Sequence, residues 1–298
     1  MRCLHLPLLV LGSAAAAQPP VYHWPLDEST GSIAHAWGGS PGQLVGGTIW
    51  APTGGHHQGA ARFDGVDDRI VLGPCDLTTG GGALSISLWA KADFVTGMER
   101  TLIAKATGPQ LADHVWSVAF VNGTSLRFRL KAGGSSTELT TPPSSLFGGT
   151  WYHIVATYDG AQLRLFVNAS LMGAAPKAGA IGLHPQAPAS LGALSTGAAP
   201  FSGWIDDARI YDRALTEAEV LDLLFATMTT GLRTEPGAAA AGFPSQGALQ
   251  VLDPMGRLLH MDPGGPGSWE RIRERCSGMV IIRTAQAGEA RTWRLALP

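Results

Sequence analysis

Gly203-Trp204-Ile205-Asp206-Asp207-Ala208-Arg209-Ile210-Tyr211-Asp212-Arg213-Ala214-Leu215-Thr216-Glu217-Ala218-Glu219-Val220 is the stretch whose reading decides the fold. Ile205, Ala208, Ile210 and Tyr211 mark a β run. A turn and a short capped helix follow. Thr216 and Glu219 stand as Thr-x-x-Glu, the spacing of a capping box, in which each side chain accepts a backbone N–H left free at the helix start. Leu215 and Val220 occupy the hydrophobic-staple positions, one before the cap and four after it.

The surrounding chain repeats the β signal. Leu84, Ile86 and Leu88 alternate with Ser85 and Ser87, and Leu126, Phe128 and Leu130 alternate with Arg127, Arg129 and Lys131. Leu163, Leu165 and Val167 alternate with Arg164 and Phe166. Period-two alternation predicts strands with one buried and one wet face, as in an antiparallel sandwich. Trp151 to Tyr158 is a longer β-rich run closed by Asp159-Gly160, a hairpin dipeptide. The 298 residues include 39 Gly and 20 Pro, and only 15% are charged, the balance that frequent turns between short strands produce. A net charge of −2, with no cluster of Lys and Arg among aromatics, gives no electrostatic case for nucleic acid or anionic membranes.

The ends read differently. Arg2, the apolar run Leu4 to Gly12 and the small residues Ala15-Ala16-Ala17 predict a secretory signal peptide over 1–17, with a mature chain from Gln18. The apolar run is too short to span a bilayer, so no membrane span is expected in the mature chain. Cys75 and Cys276 then remain, in different expected domains, which does not support a disulfide framework and leaves a single bridge in an oxidising compartment as the alternative. The Gly-, Ala- and Pro-rich stretch within 226–246 predicts a linker. Beyond it, over 247–298, strands are expected at Leu249–Leu252, from Leu258, at Gly278–Arg283 and at Thr292–Leu297.

The main region, 18–225, resembles laminin-G-like domains of the concanavalin A-like lectin/glucanase fold. Tyr22-His23-Trp24-Pro25-Leu26-Asp27-Glu28 looks like the opening strand of that family. Gly59-Ala60-Ala61-Arg62-Phe63-Asp64-Gly65-Val66-Asp67-Asp68 looks like its Gly-x-Ala-Leu-x-Phe-Asp-Gly-x-Asp-Asp. Leu84 to Ala90, Trp151 to Gly160 and the quoted stretch match three further segments. Two positions depart: His35 stands where the family has an acidic residue, and Ala169 where a turn carries Gly, leaving Asn168 to take the left-handed conformation. The resemblance implies an all-β concanavalin A-like jelly-roll sandwich, with a small C-terminal β-sandwich domain after the linker. It also implies a structural calcium site at Asp27 and Asp206, with Asp207 the weaker candidate, because hard cations take carboxylate and carbonyl oxygens. Without a metal, the same aspartates cap turns and accept backbone N–H bonds. The tail is similar to the C-terminal sorting domain of the Bacteroidota type IX secretion system through Asp253, Gly256, Arg257, Gly278 and Arg283, although Val280 replaces a Tyr and the opening Tyr-Pro-Asn-Pro is missing. That similarity implies export by the type IX machinery to the medium or outer-membrane surface of a Bacteroidota-like bacterium.

Catalysis is not expected. A glycosidase needs two carboxylates about 5–10 Å apart across the scissile bond, and no expected strand carries the acidic-x-acidic-x-x-acidic pattern that would place them on one face. No Gly-x-Ser-x-Gly elbow appears. His56-His57 reads as a solvated loop pair, since adjacent side chains on extended backbone point apart and joint ligation of zinc is awkward. Trp37, Trp50 and Trp116 are suited to stacking on sugars, but core positions are the expected place for each. The expected function is non-catalytic binding of a glycan or a surface protein. The alternatives are a carbohydrate-active enzyme with an unrecognised site and a purely structural adhesin module.

Overall fold

A computed structural model describes residues 18–77, 82–93, 98–143 and 146–226, and in the tail 249–252, 258–262, 271–272, 275, 278–286 and 289–297. The expected signal peptide, most of the expected linker, Cys276 and the Asp253–Arg257 motif lie outside the described residues.

The elements in chain order are β1 Tyr22–Trp24, β2 Ile33–Ala34, β3 Gly42–Val45, β4 Ile49–Ala51, β5 Ala60–Asp64 and β6 Arg69–Gly73. Then come β7 Leu84–Ala92, β8 Arg100–Ala106, β9 His114–Val121, β10 Ser125–Ala132, β11 Ser135–Thr140 and β12 Tyr152–Tyr158. The sandwich closes with β13 Gln162–Val167, β14 Ser170–Pro176, β15 Ala189–Leu191, β16 Ser202–Tyr211 and the helix α1 Glu217–Ala226. One sheet runs β14-β13-β12-β7-β16-β5-β4, with β1 also on β16. The other runs β11-β10-β9-β8-β15-β6-β3-β2, and every pairing is antiparallel. This is the expected jelly-roll sandwich.

The alternating apolar residues fill the space between the sheets. Leu84, Ile86, Leu88, Leu126, Phe128, Leu130, Leu163, Leu165 and Val167 all belong to one continuous core. Each fully buried aliphatic side chain there contributes about 1.5–3 kcal/mol. The expected wet face holds only in part. On the first sheet, Val155, Phe166 and Tyr211 are buried on the outer side beneath Leu215 and Val220. The staple pair therefore docks α1 onto the sheet, so strands with two covered faces look only half-apolar in sequence. The capping box forms as spaced: Thr216 N–H donates to Glu219 Oε2 at 2.8 Å, and Glu219 N–H to Thr216 Oγ1 at 3.3 Å. The Asn168-Ala169 turn also departs from expectation. Both residues, not Asn168 alone, are left-handed, with φ of 48° and 63°, because a two-residue hairpin of this kind needs positive φ at both centres.

Cys75 is a buried free thiol, pushed up to about 12 by burial. In the tail, β17 Leu249–Leu252, β18 Leu258–Asp262, β19 Gly278–Gln286 and β20 Glu289–Leu297 form one antiparallel sheet in the order β18-β17-β19-β20. The four strands fall where the sequence places them, with β19 and β20 each three residues longer, and among the described residues they make a single sheet where a small sandwich was expected, because the long β19–β20 hairpin pairs over its whole length. Among the described residues, no helix is long and apolar enough to cross a membrane.

Candidate functional site

The site grows from an irregularity in β16. Its register against β7 shifts between Asp206 and Arg209, and Asp207 takes a φ of 52° inside the bulge. Strict alternation would send Asp206 and Asp207 to opposite faces. The bulge re-aims the second side chain, a common use of such features, and both aspartates line one cavity of about 260 Å³.

β1 supplies the facing wall. His23 pairs with Arg209 across the β1–β16 ladder, and His23 Nε2 lies 2.6 Å from Asp207 Oδ1. Arg209 Nη2 takes the other Asp207 oxygen at 2.8 Å. Burial pushes the Asp207 carboxyl up, but the His23 hydrogen bond and the Arg209 charge together outweigh it and hold the group below the usual carboxylate range.

On its free side, His23 exchanges two backbone hydrogen bonds with Trp37, of 3.1 and 2.8 Å. The Trp37 indole meets the His23 ring edge-on at 5.3 Å, yet it is 71% exposed. Gly38 makes this possible: its φ is 79°, and a Cβ there would sit 2.4 Å from the Val21 carbonyl oxygen. The core position expected for Trp37 is thus overturned, because edge-strand pairing with His23 leaves the ring at the cavity rim. Trp50 is half-buried with its indole N–H on the Gly31 carbonyl at 2.9 Å, and Trp116 is in the core.

The loop of residues 54–59 forms the third wall, and two aspartates fasten it. His57 N–H donates to Asp206 Oδ2 and Gly59 N–H to Asp27 Oδ1, each at 2.8 Å. The loop is tight at Gly55, where a Cβ would lie 1.9 Å from the Gly59 carbonyl oxygen. His57 and Gln58 face the cavity, while the His56 ring stacks on Trp89 at 3.4 Å and 9°. The expected solvated pair is therefore split, with His56 serving as the loop's anchor on the sheet. Beneath it His153 is buried, bonds Ser87 Oγ at 2.9 Å and is pushed down to about 3 by burial, so it is neutral.

The three expected metal-site residues do converge on this cavity. Asp206 is pushed up to about 8, chiefly by burial, with Asp207 and Asp27 adding to the rise. Asp27 is raised by burial too. Asp206 Oδ1 is buried with no hydrogen-bond partner among the described residues. A buried, partnerless carboxylate oxygen beside a second raised carboxyl fits a hard cation well. Asp207 has both oxygens engaged. His35, at the family's acidic position, is exposed and donates its backbone N–H to Glu28 Oε1 at 2.6 Å, with its ring nitrogen at 3.1 Å from the same oxygen.

Among the described residues, the one trio of acidic side chains with ligand atoms inside 4.8 Å lies elsewhere, at Asp64, Asp67 and Asp68. These serve the β5–β6 turn. Asp64 Oδ1 takes the Val66 N–H, and Asp68 takes the N–H groups of Asp64 and Gly47. His23, Pro25, Trp37, His57, Gln58 and Arg209 are the cavity residues that sequence reading did not name as site residues. Only the match of the first strand to β16 could have pointed to His23.

The concanavalin A-like lectin/glucanases superfamily (Laminin_G_3) matches residues 64–221. No curated protein matches the chain. Among solved structures, domain 4 of AbnA, a GH43 extracellular arabinanase from Geobacillus stearothermophilus, in complex with arabinotriose, is 23% identical with a TM-score of 0.51, covering 69% of this chain and 98% of that one. The binding domain of botulinum neurotoxin serotype D has a TM-score of 0.56 at 11% identity, covering 93% of this chain and 69% of that one. The binding domain of Paraclostridial Mosquitocidal Protein 1 has a TM-score of 0.55 at 16% identity, covering 93% and 64%. At such identities these likenesses speak to the shared fold. With the family match spanning more than half of the sequence on this jelly-roll scaffold, the chain belongs to the concanavalin A-like lectin/glucanases superfamily.

Proposed function

We propose that the sandwich is an exported, non-catalytic binding module that holds a glycan in the cavity under Trp37. The observation that carries this reading is the exposed Trp37 indole at the rim of a cavity lined, besides Pro25, by polar and charged side chains. An indole offers a flat apolar face for the C–H side of a sugar, and convergent polar groups fix orientation. His57, Gln58 and Arg209 supply those groups. A protein partner is the second reading, supported by the binding domains of botulinum neurotoxin serotype D and of Paraclostridial Mosquitocidal Protein 1 built on the same fold. The arabinanase domain solved with arabinotriose supports the glycan.

The carboxylates here are committed to structure. Asp207 serves the ion pair, and Asp206 and Asp27 hold the 54–59 loop, which leaves no acid–base pair astride an open cleft. Calcium on Asp27 and Asp206 would supply the missing partner for Asp206 Oδ1 and neutralise the two raised carboxyls, a structural role. Glycan-array binding followed by calorimetry on the hits tests the reading. Trp37→Ala should abolish binding with the melting temperature unchanged. Unchanged affinity would sink it, and sugar release from a polysaccharide would establish the enzyme alternative.

A further inference from the structure

A second surface lies on the outer face of the first sheet, on the far side of the 54–59 loop from the cavity. Four side chains of alternating chemistry stand there in one row across adjacent strands. Arg62 on β5 is in register with Trp204 on β16, and Trp204 with Lys91 on β7. Trp151 follows at the entry to β12, whose first residue pairs with Ala90. The Arg62 guanidinium lies 4.3 Å from the Trp204 ring centre, and the Lys91 ammonium lies 4.1 Å from Trp204 and 5.1 Å from Trp151. Three inter-strand spacings make the row about 14 Å long.

The charges along the row are unequal. Arg62 Nη2 is neutralised by Asp93 Oδ2 at 2.7 Å. Among the described residues of the sandwich, every other Lys and Arg reaches a carboxylate or carbonyl oxygen. Lys91 alone meets only two indole rings. Such rings hold an ammonium by their negative faces and do not cancel its charge. The two half-buried indoles stand two strands apart with Lys91 between them.

We propose that this row binds an acidic polysaccharide, with Lys91, held by the Trp204 ring that lies between it and Arg62, taking a sugar carboxylate and Trp151 stacking on the neighbouring ring. Charge complementarity selects the acidic chain, because Lys91 is the cation of the row that no carboxylate neutralises among the described residues. The surface does not depend on the cavity. One side of the loop, His57 and Gln58, lines the cavity, while His56 stands edge-on to Trp151 at 6.2 Å on the other.

The test is affinity electrophoresis of the full chain in gels with polygalacturonate, fully methyl-esterified polygalacturonate or poly-glutamate. The expected result is retardation by polygalacturonate alone, weakening as salt rises. Lys91→Met should weaken it about tenfold or more, as loss of a charged hydrogen bond does, with Lys91→Arg retaining it. Trp37→Ala should leave it unchanged, which separates this surface from the cavity. No retardation by polygalacturonate, equal retardation by the esterified polymer, or Lys91→Met equal to wild type overturns the proposal. Equal retardation by poly-glutamate reassigns the row to acidic peptides and also overturns it. Should Lys91→Met fail to fold, Lys91→Gln and the salt dependence of the wild type decide in its place.

Discussion

Asp207 Oδ1 sits 2.6 Å from His23 Nε2, although 184 positions separate the two residues. Their bond joins the first strand of the sandwich to the last, and Arg209 completes the group at 2.8 Å. All three side chains are largely buried. Removing one charge from such a group strands the others, at a cost of about 3 kcal/mol or more. Asp207→Asn keeps a residue that tolerates the left-handed backbone, so its effect isolates the charge. The expected result is a stability loss of about 3 kcal/mol in urea denaturation near neutral pH. A loss below about 0.5 kcal/mol would show that the group contributes only geometry.

Calcium should act on folding. A ligand bound only by the native state stabilises it by about 2.7 kcal/mol at a hundredfold excess over its Kd. Added calcium should therefore raise the melting temperature and EDTA should lower it, and Asp206→Asn should remove both responses. An EDTA-insensitive melting curve, with no calcium by elemental analysis, rejects the assignment.

The capping box sets an acid limit on α1. Glu219 is pulled down to about 2, first by the Arg213 hydrogen bond and then by the Thr216 N–H and hydroxyl bonds. Because the folded pKa lies below the unfolded one, its contribution is complete above the ordinary glutamate range. It is lost as pH falls from about 4.5 towards 2. Glu219→Gln should flatten that part of the stability profile. Thr216→Ala should cost about 1 kcal/mol. A Glu219→Gln profile parallel to the wild type between pH 5 and about 2 would contradict this.

Ala169 carries a left-handed φ of 63° in the β13–β14 turn. That conformation costs a non-glycine residue about 1–2 kcal/mol, partly offset by the greater freedom glycine has when unfolded. Ala169→Gly should raise stability by about 0.5–1 kcal/mol, read as a shift in the urea midpoint at constant slope. A destabilised variant would mean that its methyl contact with the cluster under α1 outweighs the backbone strain.

The tail carries the export proposal. A chain ending at residue 226 should keep the sandwich folded and accumulate in the periplasm of a type IX-competent host. The tail fused behind a signal peptide should carry an unrelated reporter outside. If the truncated chain still reaches the medium or surface, the four-stranded sheet is an ordinary β module.

Much of the scaffold was legible in the sequence, because its signals are local. Period-two runs such as Leu84-Ser85-Ile86-Ser87-Leu88 need only the pleat to declare a buried face. Thr216, Glu219, Leu215 and Val220 make their contacts within a few residues of one another, so their spacing alone places α1. The site was legible only as a neighbourhood. Asp27, Asp206 and Asp207 stand out in the chain, but which of them pairs, fastens a loop or keeps an oxygen open depends on partners far away in sequence. A bulge turned Asp207 towards His23, and one bridge held Trp37 at the rim instead of in the core. A helix and a glycine loop covered sheet faces that the alternation marked as wet. Alternation and caps are written in short-range geometry. Facing partners across β1, β16 and the 54–59 loop exist only once the sheet has closed, and that closure decided the chemistry.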